Sequence, residues 1–209
     1  MTEKELKEIF SSFNNKRVLI IGDAMIDSYM WGKIERMSPE APVPVVEIER
    51  HETRLGGAAN CALNIKSLGA EVILCSVIGN DNNGKKFEEL MNEANLSTKG
   101  ILISNHRKTT VKTRVISEGK HQLRTDDEDR HPITIESQFL NNTERLFKDV
   151  SVLILQDYNK GVLTPKIITS LIKKAKKLNI PTIVDPKKDN FLLYKNCDIF
   201  KPNLKEIKE

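Results

Sequence analysis

The sequence has 209 residues, of which 39% are hydrophobic and 30% charged, and its formal net charge is +4. A chain of this length can bury a sizeable core in one α/β domain, and its composition excludes a disordered protein and one with a spanning helix of roughly 20 apolar residues. Mixed Lys and Glu residues spread the charge without a basic block, which weakly favours a small anionic ligand and argues against nucleic acid.

The first 14 residues predict an amphipathic helix. Leu6, Ile9, Phe10 and Phe13 recur at helical spacing among charged residues. A signal peptide would need an uninterrupted apolar stretch and a cleavage site of small residues. We therefore expect a cytoplasmic protein without a membrane partner.

The three cysteines predict neither a disulfide nor a metal site. Cys61, Cys75 and Cys197 are odd in number and far apart, and two of them lie in apolar periodic segments. We expect reduced side chains that serve packing.

Residues 16–23 predict a central parallel strand that ends in a glycine turn, because two charged residues precede an entirely apolar run. Asp23 and Asp27 then lie just beyond its carboxyl end, the edge at which open α/β sheets bind ligands. The carboxylate of Asp27 suits the hydroxyl groups of a polyol, but both residues could instead cap a local turn or helix.

Two segments predict a small sheet that projects from the main body. Residues 36–46 contain three prolines and lead into an alternating pattern typical of an edge strand. Residues 109–116 and 121–125 flank a turn and predict a hairpin. We place this lid at about 33–54 and 107–126.

The hairpin carries basic residues that admit two interpretations. Lys112 and Arg114 share one face, and Arg124 is accompanied by Asp126. Each residue either binds ligand or is a solvated charge on the outside of the lid.

The stretch Leu55-Gly56-Gly57-Ala58-Ala59-Asn60 places four small residues and an Asn at the start of a helical pattern. Small residues let a backbone and a bulky polar ligand approach closely, so the stretch predicts a site for a hydroxyl-rich ligand. Gly69 is expected to end the helix, and residues 72–77 are expected to form a buried strand.

Residues 79–86 fall short of a phosphate-binding P-loop. Lys86 stands where Ser or Thr would hold Mg²⁺, and Asp81 would oppose a triphosphate. A tight strand-to-helix turn capped by Asp81 is favoured. The histidines lack metal-ligand spacing, and no Gly-x-Ser-x-Gly elbow occurs.

The second half continues the α/β series. Helices are predicted at 138–147 and 165–178, and strands at 150–155, 182–184 and 198–202. The polar loops that follow these strands would again lie at the ligand-binding edge.

The run Gly56-Gly57-Ala58-Ala59-Asn60-x-Ala62, followed by Gly69 and Gly79, resembles the first signature of the ribokinase-like (PfkB) carbohydrate kinases. Further segments look like the D-glycero-β-D-manno-heptose 7-phosphate kinases of that family: Asp27, the Pro-rich 38–45, Leu123-Arg124-x-Asp126, Asp157-Tyr158-x-Lys160-Gly161, Asp185-Pro186-Lys187 and Pro202-Asn203-x-x-Glu206. The resemblance runs from about Arg17 to the end.

The resemblance implies a Rossmann-like ribokinase fold, in which helices flank a mostly parallel sheet and a β-sheet lid also forms a homodimer interface. It implies transfer of the γ-phosphoryl group of ATP to the anomeric hydroxyl of the heptose 7-phosphate, with ATP and Mg²⁺ as cofactors. The product would be heptose 1,7-bisphosphate, used for lipopolysaccharide core precursors.

The resemblance also implies roles for individual residues. The residues implied to bind substrate are Asp27, Gly56, Gly57, Asn60 and Asp157, with Lys112, Arg114, Arg124 and Lys160 as candidates to hold the sugar phosphate. Asn203 and Glu206 would face the nucleotide, and Glu206 would hold Mg²⁺ through water. Lys187, grouped with them as cofactor-binding, would face either the nucleotide or the substrate.

One family element has no match in the sequence. Family members continue to a Gly-Ala-Gly-Asp element that supplies the catalytic Asp and an anion hole. We expect this general-base Asp beyond Glu209, so residues 1–209 would form an incomplete kinase domain that is inactive alone, and we assign no catalytic residue. Two alternatives stay open: a related kinase for ribose, fructose or fructose phosphate, and a non-catalytic module that binds sugar phosphate or dimerises.

Overall fold

The computed structural model describes residues 1–208. The helices are α1 (Glu3–Ser12), α2 (Ala58–Ser67), α3 (Asn82–Glu93), α4 (Glu136–Glu144), α5 (Pro165–Lys177) and α6 (Leu204–Lys208). The strands are β1 (Arg17–Gly22), β2 (Ala24–Met37), β3 (Pro44–Gly57), β4 (Glu71–Gly79), β5 (Ile101–Ser104), β6 (Val111–Ser117), β7 (Lys120–Asp127), β8 (Val152–Gln156), β9 (Thr182–Asp185) and β10 (Ile199–Phe200). Short 3₁₀ helices cover Phe13–Asn15 and Lys188–Leu193.

Glu209 lies outside the described residues. We expect the general-base Asp beyond this residue. The position of the base therefore stays a prediction.

Six strands form a parallel sheet in the order β10-β9-β8-β1-β4-β5. The chain builds one half through β1, β4 and β5 and the other half through β8, β9 and β10. The order therefore reverses between β1 and β8, and ligands of open α/β sheets bind beside such a reversal. This confirms the predicted α/β fold and the central position of β1.

The side chains of β1 are buried on both faces of the sheet. Leu19 and Ile21 belong to the core that packs against α4 and α5, whereas Val18 and Ile20 belong to the core under α2 and α3. Helices thus cover both faces, which explains why β1 reads as a continuous apolar run.

The other four strands form the lid sheet, in the order β3-β2-β6-β7. The predicted edge strand is β3, and the predicted hairpin is the antiparallel pair β6 and β7. The lid sheet extends further than the predicted segments because β2 begins at Ala24, one residue after β1. Asp27 therefore lies inside a strand and caps neither a turn nor a helix.

Two local predictions are confirmed. The Asp81 side chain caps α3 by accepting a hydrogen bond from the Gly84 N–H at 2.6 Å, so residues 79–86 form a capped turn. Gly69, with φ of 101°, follows the end of α2. All three cysteines are free thiols. Among residues 1–208, no helix combines the length and apolar character needed to span a membrane.

Asp23 joins the end of β1 to the loop that follows β8. Its side chain is 1% exposed and accepts hydrogen bonds from the backbone N–H groups of Tyr158 at 2.8 Å, Lys160 at 3.1 Å and Val162 at 3.0 Å. Burial raises the pKa of Asp23 to about 6, the charge of Asp157 adds to this shift, and the three N–H donors oppose it.

The Asp23→Asn variant should change how stability depends on pH. The folded pKa lies above the ordinary value of about 3.9, so the folded protein binds this proton more tightly than the unfolded chain does. The contribution of Asp23 to the free energy of unfolding should therefore fall by about 2 kcal/mol as pH rises from 4 to 7. Urea unfolding of both proteins at several pH values measures the difference, and a difference independent of pH would contradict the expectation.

Candidate functional site

A cavity of about 530 Å³ lies between the lid sheet and helices α2 and α3. It is lined by Asp27, Tyr29, Arg54, Leu55, Asn60, Leu63, Leu90, Glu93 and Ala94. Two residues predicted to hold a sugar, Asp27 and Asn60, therefore line the same cavity although 33 positions separate them. Its volume suits a small ligand.

The glycine pair permits close packing at the turn from β3 into α2. A Cβ atom on Gly56 would lie 2.5 Å from Oδ2 of Asp27. Gly57 has φ of 57°, and a Cβ atom there would lie 2.4 Å from the carbonyl oxygen of Asp23. That carbonyl accepts the N–H of Ala58 at 3.0 Å. The glycines therefore let β3 and α2 approach Asp23 and Asp27, while their predicted contact with sugar stays a prediction.

The strand register places charged residues on one face of the lid sheet. Asp27 is opposite Arg54 on β3 and Lys112 on β6, and directly opposed residues share a face. Tyr29, two residues further along, is opposite Arg114. We call this surface, which includes Asp27, Tyr29, Arg54, Lys112 and Arg114, the charged face of the lid.

Asp27 and Arg114, both predicted to bind substrate, form an ion pair on this face. Nη1 of Arg114 donates to Oδ1 of Asp27 at 2.7 Å, and both side chains are about one-fifth exposed. The guanidinium groups of Arg114 and Arg54 lie 5.2 Å and 5.4 Å from the ring centre of Tyr29. Arg54 and Tyr29 were not predicted from the sequence, although the alternation of β2 and β3 indicates both once β2 is recognised.

Lys112 and Lys160 meet at Glu128, a residue that the sequence analysis missed. Nζ of Lys160 donates to Oε1 of Glu128 at 2.7 Å, and Nζ of Lys112 lies 3.1 Å from Oε2. The Glu128 side chain is 5% exposed and also accepts a hydrogen bond from Arg130. Burial would raise the pKa of Glu128, but the hydrogen bonds from these three cations outweigh burial and lower it to about 2. Glu128 thus joins strand β6 of the lid to the loop after β8.

Arg124 lies at the outer end of the same charge network. Its Nη2 donates to Oδ2 of Asp126 at 3.2 Å, and the same oxygen accepts from Lys112 at 2.9 Å. The Arg124 side chain is 58% exposed and does not line the cavity. Its predicted contact with a sugar phosphate stays a prediction.

Asp157 is buried and bound by its own chain. Oδ1 accepts the N–H of Asn159 at 2.8 Å, and Oδ2 accepts from the Asn190 amide at 2.9 Å and the Tyr194 hydroxyl at 2.6 Å. Burial and the charge of Asp157 raise the pKa of Tyr194. In this structure Asp157 stabilises the loop after β8, and its predicted contact with sugar is untested.

The three predicted nucleotide residues come together at the carboxyl ends of β9 and β10. Oδ1 of Asn203 accepts the Glu206 N–H at 3.0 Å, while Oε2 of Glu206 accepts the Asn203 N–H at 2.8 Å. This reciprocal pair is a capping box for α6. Lys187 donates to Oε1 of Glu206 and lies 6.0 Å from the ring centre of Tyr158.

Glu206 is the candidate for magnesium. Burial would raise the pKa of Glu206, but hydrogen bonds from Lys187 and the Asn203 N–H lower it, which keeps the carboxylate ionised. Within residues 1–208, no group of three or more His, Cys, Asp or Glu residues is arranged to hold a metal. A single ionised carboxylate beside Lys187 fits contact with Mg²⁺ through water.

The Gly57→Ala variant should be destabilised more than Gly119→Ala. Gly119, in the turn between β6 and β7, also has positive φ, but no atom lies within 4 Å of an added Cβ. In both variants an alanine at positive φ strains the backbone by about 1 kcal/mol. Gly57→Ala also forces the new Cβ against Asp23, which should lower the free energy of unfolding by about 2 kcal/mol more. Urea unfolding measures both, and equal losses would show that the close approach is unimportant.

Curated proteins with similar sequences include two bifunctional proteins HldE. The protein from Campylobacter jejuni subsp. doylei is 43% identical over 201 residues, and that from Pelobacter propionicus is 40% identical over 214 residues. The alignments cover 96% and 99% of this chain but 42% and 43% of those proteins. The chain therefore spans less than half the length of these relatives.

Solved structures confirm the ribokinase-like fold. A carbohydrate kinase from Agrobacterium tumefaciens superposes with a TM-score of 0.69 at 22% identity, over 88% of this chain and 60% of that one. Arabidopsis thaliana ribokinase, solved with ribose and ATP, gives 0.64 at 17% identity, over 92% and 62%. The sequence profile of the pfkB family of carbohydrate kinases matches residues 15–209. This match covers nearly the whole chain, which therefore belongs to the pfkB family of carbohydrate kinases.

Proposed function

We propose that this chain supplies the sugar-binding part of an ATP-dependent kinase for D-glycero-β-D-manno-heptose 7-phosphate. The reaction would transfer the γ-phosphoryl group to the anomeric hydroxyl and give heptose 1,7-bisphosphate, for lipopolysaccharide core precursors. The observation that carries this proposal is the convergence of Asp27, Asn60 and Arg114 where the lid sheet meets α2.

The chemistry of these groups suits a phosphorylated sugar. The carboxylate of Asp27 accepts hydrogen bonds from hydroxyl groups, and the Asn60 amide both donates and accepts. The guanidinium of Arg114 offers several donors to a phosphate and is already next to Asp27. We therefore place the sugar phosphate nearest to Arg114, with Lys112, Lys160 and the more exposed Arg124 contributing positive charge.

The choice of the heptose as acceptor is supported by the motif resemblance and by the similarity to the HldE proteins. The Pro-rich segment 38–45, which leads into β3, is the piece most specific to that subgroup. A ribose or fructose kinase would share the glycine motif and Asp27 and differ in this segment.

Lys187, Asn203 and Glu206 would bind the phosphates of ATP. Bound Mg²⁺ would neutralise part of the phosphate charge, and Glu206 would hold it through water. Lys187 would then exchange its contact with Glu206 for a phosphate oxygen. We assign the general base to none of residues 1–209 and expect this chain to bind sugar phosphate without turnover.

Asp27→Asn should weaken binding of the heptose 7-phosphate to this chain about ten- to one-hundredfold. The substitution keeps the shape but removes the charge-assisted hydrogen bonds to sugar hydroxyls. Asp149→Asn is the matched control, since Asp149 is exposed and Asn also tolerates its φ of 59°. Calorimetric titration measures both, with ribose and fructose 6-phosphate as comparison ligands.

Each outcome of this titration has a separate meaning. Equal affinity for fructose 6-phosphate or ribose would favour a different ribokinase-like acceptor. Unchanged affinity in Asp27→Asn would place the sugar elsewhere. ATP-dependent phosphate transfer by the same samples would contradict the absence of a base from this chain and exclude a non-catalytic module.

We also propose that the lid sheet forms a homodimer through the face opposite its charged face. Leu123 lies opposite Val115, which lies opposite Met30, so the three share this face. Leu123 is 57% exposed, and Ile48 on β3 is 45% exposed. A second copy would cover this apolar surface.

Leu123→Lys should shift the protein towards monomer, because it places a charge in an apolar contact between two copies. Lys120→Gln at the start of β7 is the control and should leave the mass unchanged. Light scattering over a range of protein concentrations gives the mass. A wild-type protein that stays monomeric, or a Leu123→Lys dimer, would contradict this interface.

A further inference from the structure

A second cavity, of about 500 Å³, lies at the amino-terminal ends of β1 and β4. It is lined by Arg17, Lys66, residues 70–73, residues 95–97, Lys99, Arg145, Leu146 and Lys148. It shares no lining residue with the cavity beside Asp27, and the whole of β1 separates Arg17 from Asp27. The proposed kinase chemistry therefore does not account for it.

The lining is strongly cationic. Five basic side chains line the cavity, and Glu71 is the one carboxylate among the lining residues; the basic residues are Arg17, Lys66, Lys99, Arg145 and Lys148. Ile73, Leu96 and Leu146 add apolar surface. The lining of this cavity therefore combines positive charge with apolar surface.

Two of the five cations have structural partners. Nη2 of Arg17 lies 2.8 Å from Glu71, and its Nη1 donates to the Lys148 carbonyl at 3.0 Å. Nζ of Lys66 donates to the carbonyls of Ala94 and Asn95 at 2.7 Å and 2.6 Å. Lys66 thus satisfies carbonyl groups at the end of α3, a position where positive charge is favourable.

The other three cations have no such partner. Lys99, Arg145 and Lys148 are exposed, and in the described part of the chain their side chains form no hydrogen bond or ion pair. Glu71 is already paired with Arg17, and the exposed Asp149 beside Lys148 also acts on Arg17. Three like charges around one cavity repel each other, and a bound anion would remove that repulsion.

We propose that this second cavity binds a small molecule that carries phosphate groups. Phosphate matches both the multiple positive charge and the donor geometry of Arg145. The volume and the apolar wall accommodate the organic part of a nucleotide or a sugar phosphate. The proposal does not depend on the kinase function, because it uses none of the residues assigned to the sugar or to ATP.

Calorimetric titration with inorganic pyrophosphate tests the proposal. The Arg145→Gln/Lys148→Gln double variant should bind pyrophosphate at least about ten times more weakly, since it loses two charge-assisted contacts. Both side chains are exposed and unpaired, so the variant should fold. The control, Lys85→Gln/Lys120→Gln, removes the same charge from exposed positions outside both cavities and should bind like the wild type.

The location of binding is read from backbone amide shifts in a pyrophosphate titration. The amides of Ser97, Lys99 and Leu146 should shift, and those of Asp27 and Asn60 should not. Unchanged affinity in the Arg145→Gln/Lys148→Gln variant would overturn the proposal. Equal loss in the control, shifts confined to Asp27 and Asn60, or absence of binding would also overturn it. Binding to the sugar or nucleotide residues alone would leave the kinase proposal intact, so the two can fail separately.

Discussion

The buried carboxylate of Asp23 is the interaction on which the functional part of the structure depends. Its side chain holds three N–H groups of the loop after β8, and its carbonyl accepts the first N–H of α2. Its own N–H donates to the Gln156 carbonyl at 3.2 Å. One residue thus fixes the start of the lid, the helix behind the glycine pair and the loop at the reversal of strand order. A buried carboxylate is costly unless it is hydrogen-bonded, and here three backbone donors offset part of that cost, although burial still raises the pKa of Asp23.

A second buried carboxylate, Glu128, sets how the lid meets the body. It lies between Lys112 of β6 and Lys160 of the loop that Asp23 holds. Removing one member of such a cluster leaves an unpaired buried charge, which costs far more than the cluster contributes as a whole. The arrangement therefore favours one position of the lid over other positions. A phosphate that reached these lysines would have to share them with Glu128, so affinity would come more readily from Arg114.

The sequence predicted the main sheet well because its signals are local. Residues 16–23 form an apolar run bounded by charges and a glycine, and a strand buried on both faces leaves that pattern. The glycine pair was recognisable for the same reason, since position 56 must lack a side chain to approach Asp27 and position 57 must lack one to approach Asp23. The hairpin formed by β6 and β7 was also marked by its own turn.

Contacts between distant residues were beyond the sequence. β2 was missed because the glycine at the end of β1 was interpreted as a turn, whereas the chain passes into β2 after the single residue Asp23. Glu128 was missed because its partners lie 16 and 32 positions away. Asp157 was assigned from a motif, yet its side-chain partners Asn190 and Tyr194 lie 33 and 37 positions further on. A motif can identify a residue, but the burial of that residue's side chain depends on segments that are distant in the sequence.

The two sets of proposed substrate residues are related through a single loop. Tyr158 belongs to the loop held by Asp23, and Lys187 lies near the Tyr158 ring. Burial raises the pKa of Tyr158, and the charges of Asp185 and Asp27 add to this shift. Lys187, a proposed nucleotide residue, therefore lies beside the loop that also carries Lys160, a proposed sugar-phosphate residue. Phosphoryl transfer depends on in-line placement, and errors of about 1 Å are costly. Asp23 would then influence the spacing of the two proposed substrates without touching either, because it fixes the loop that carries Lys160 and lies beside Lys187.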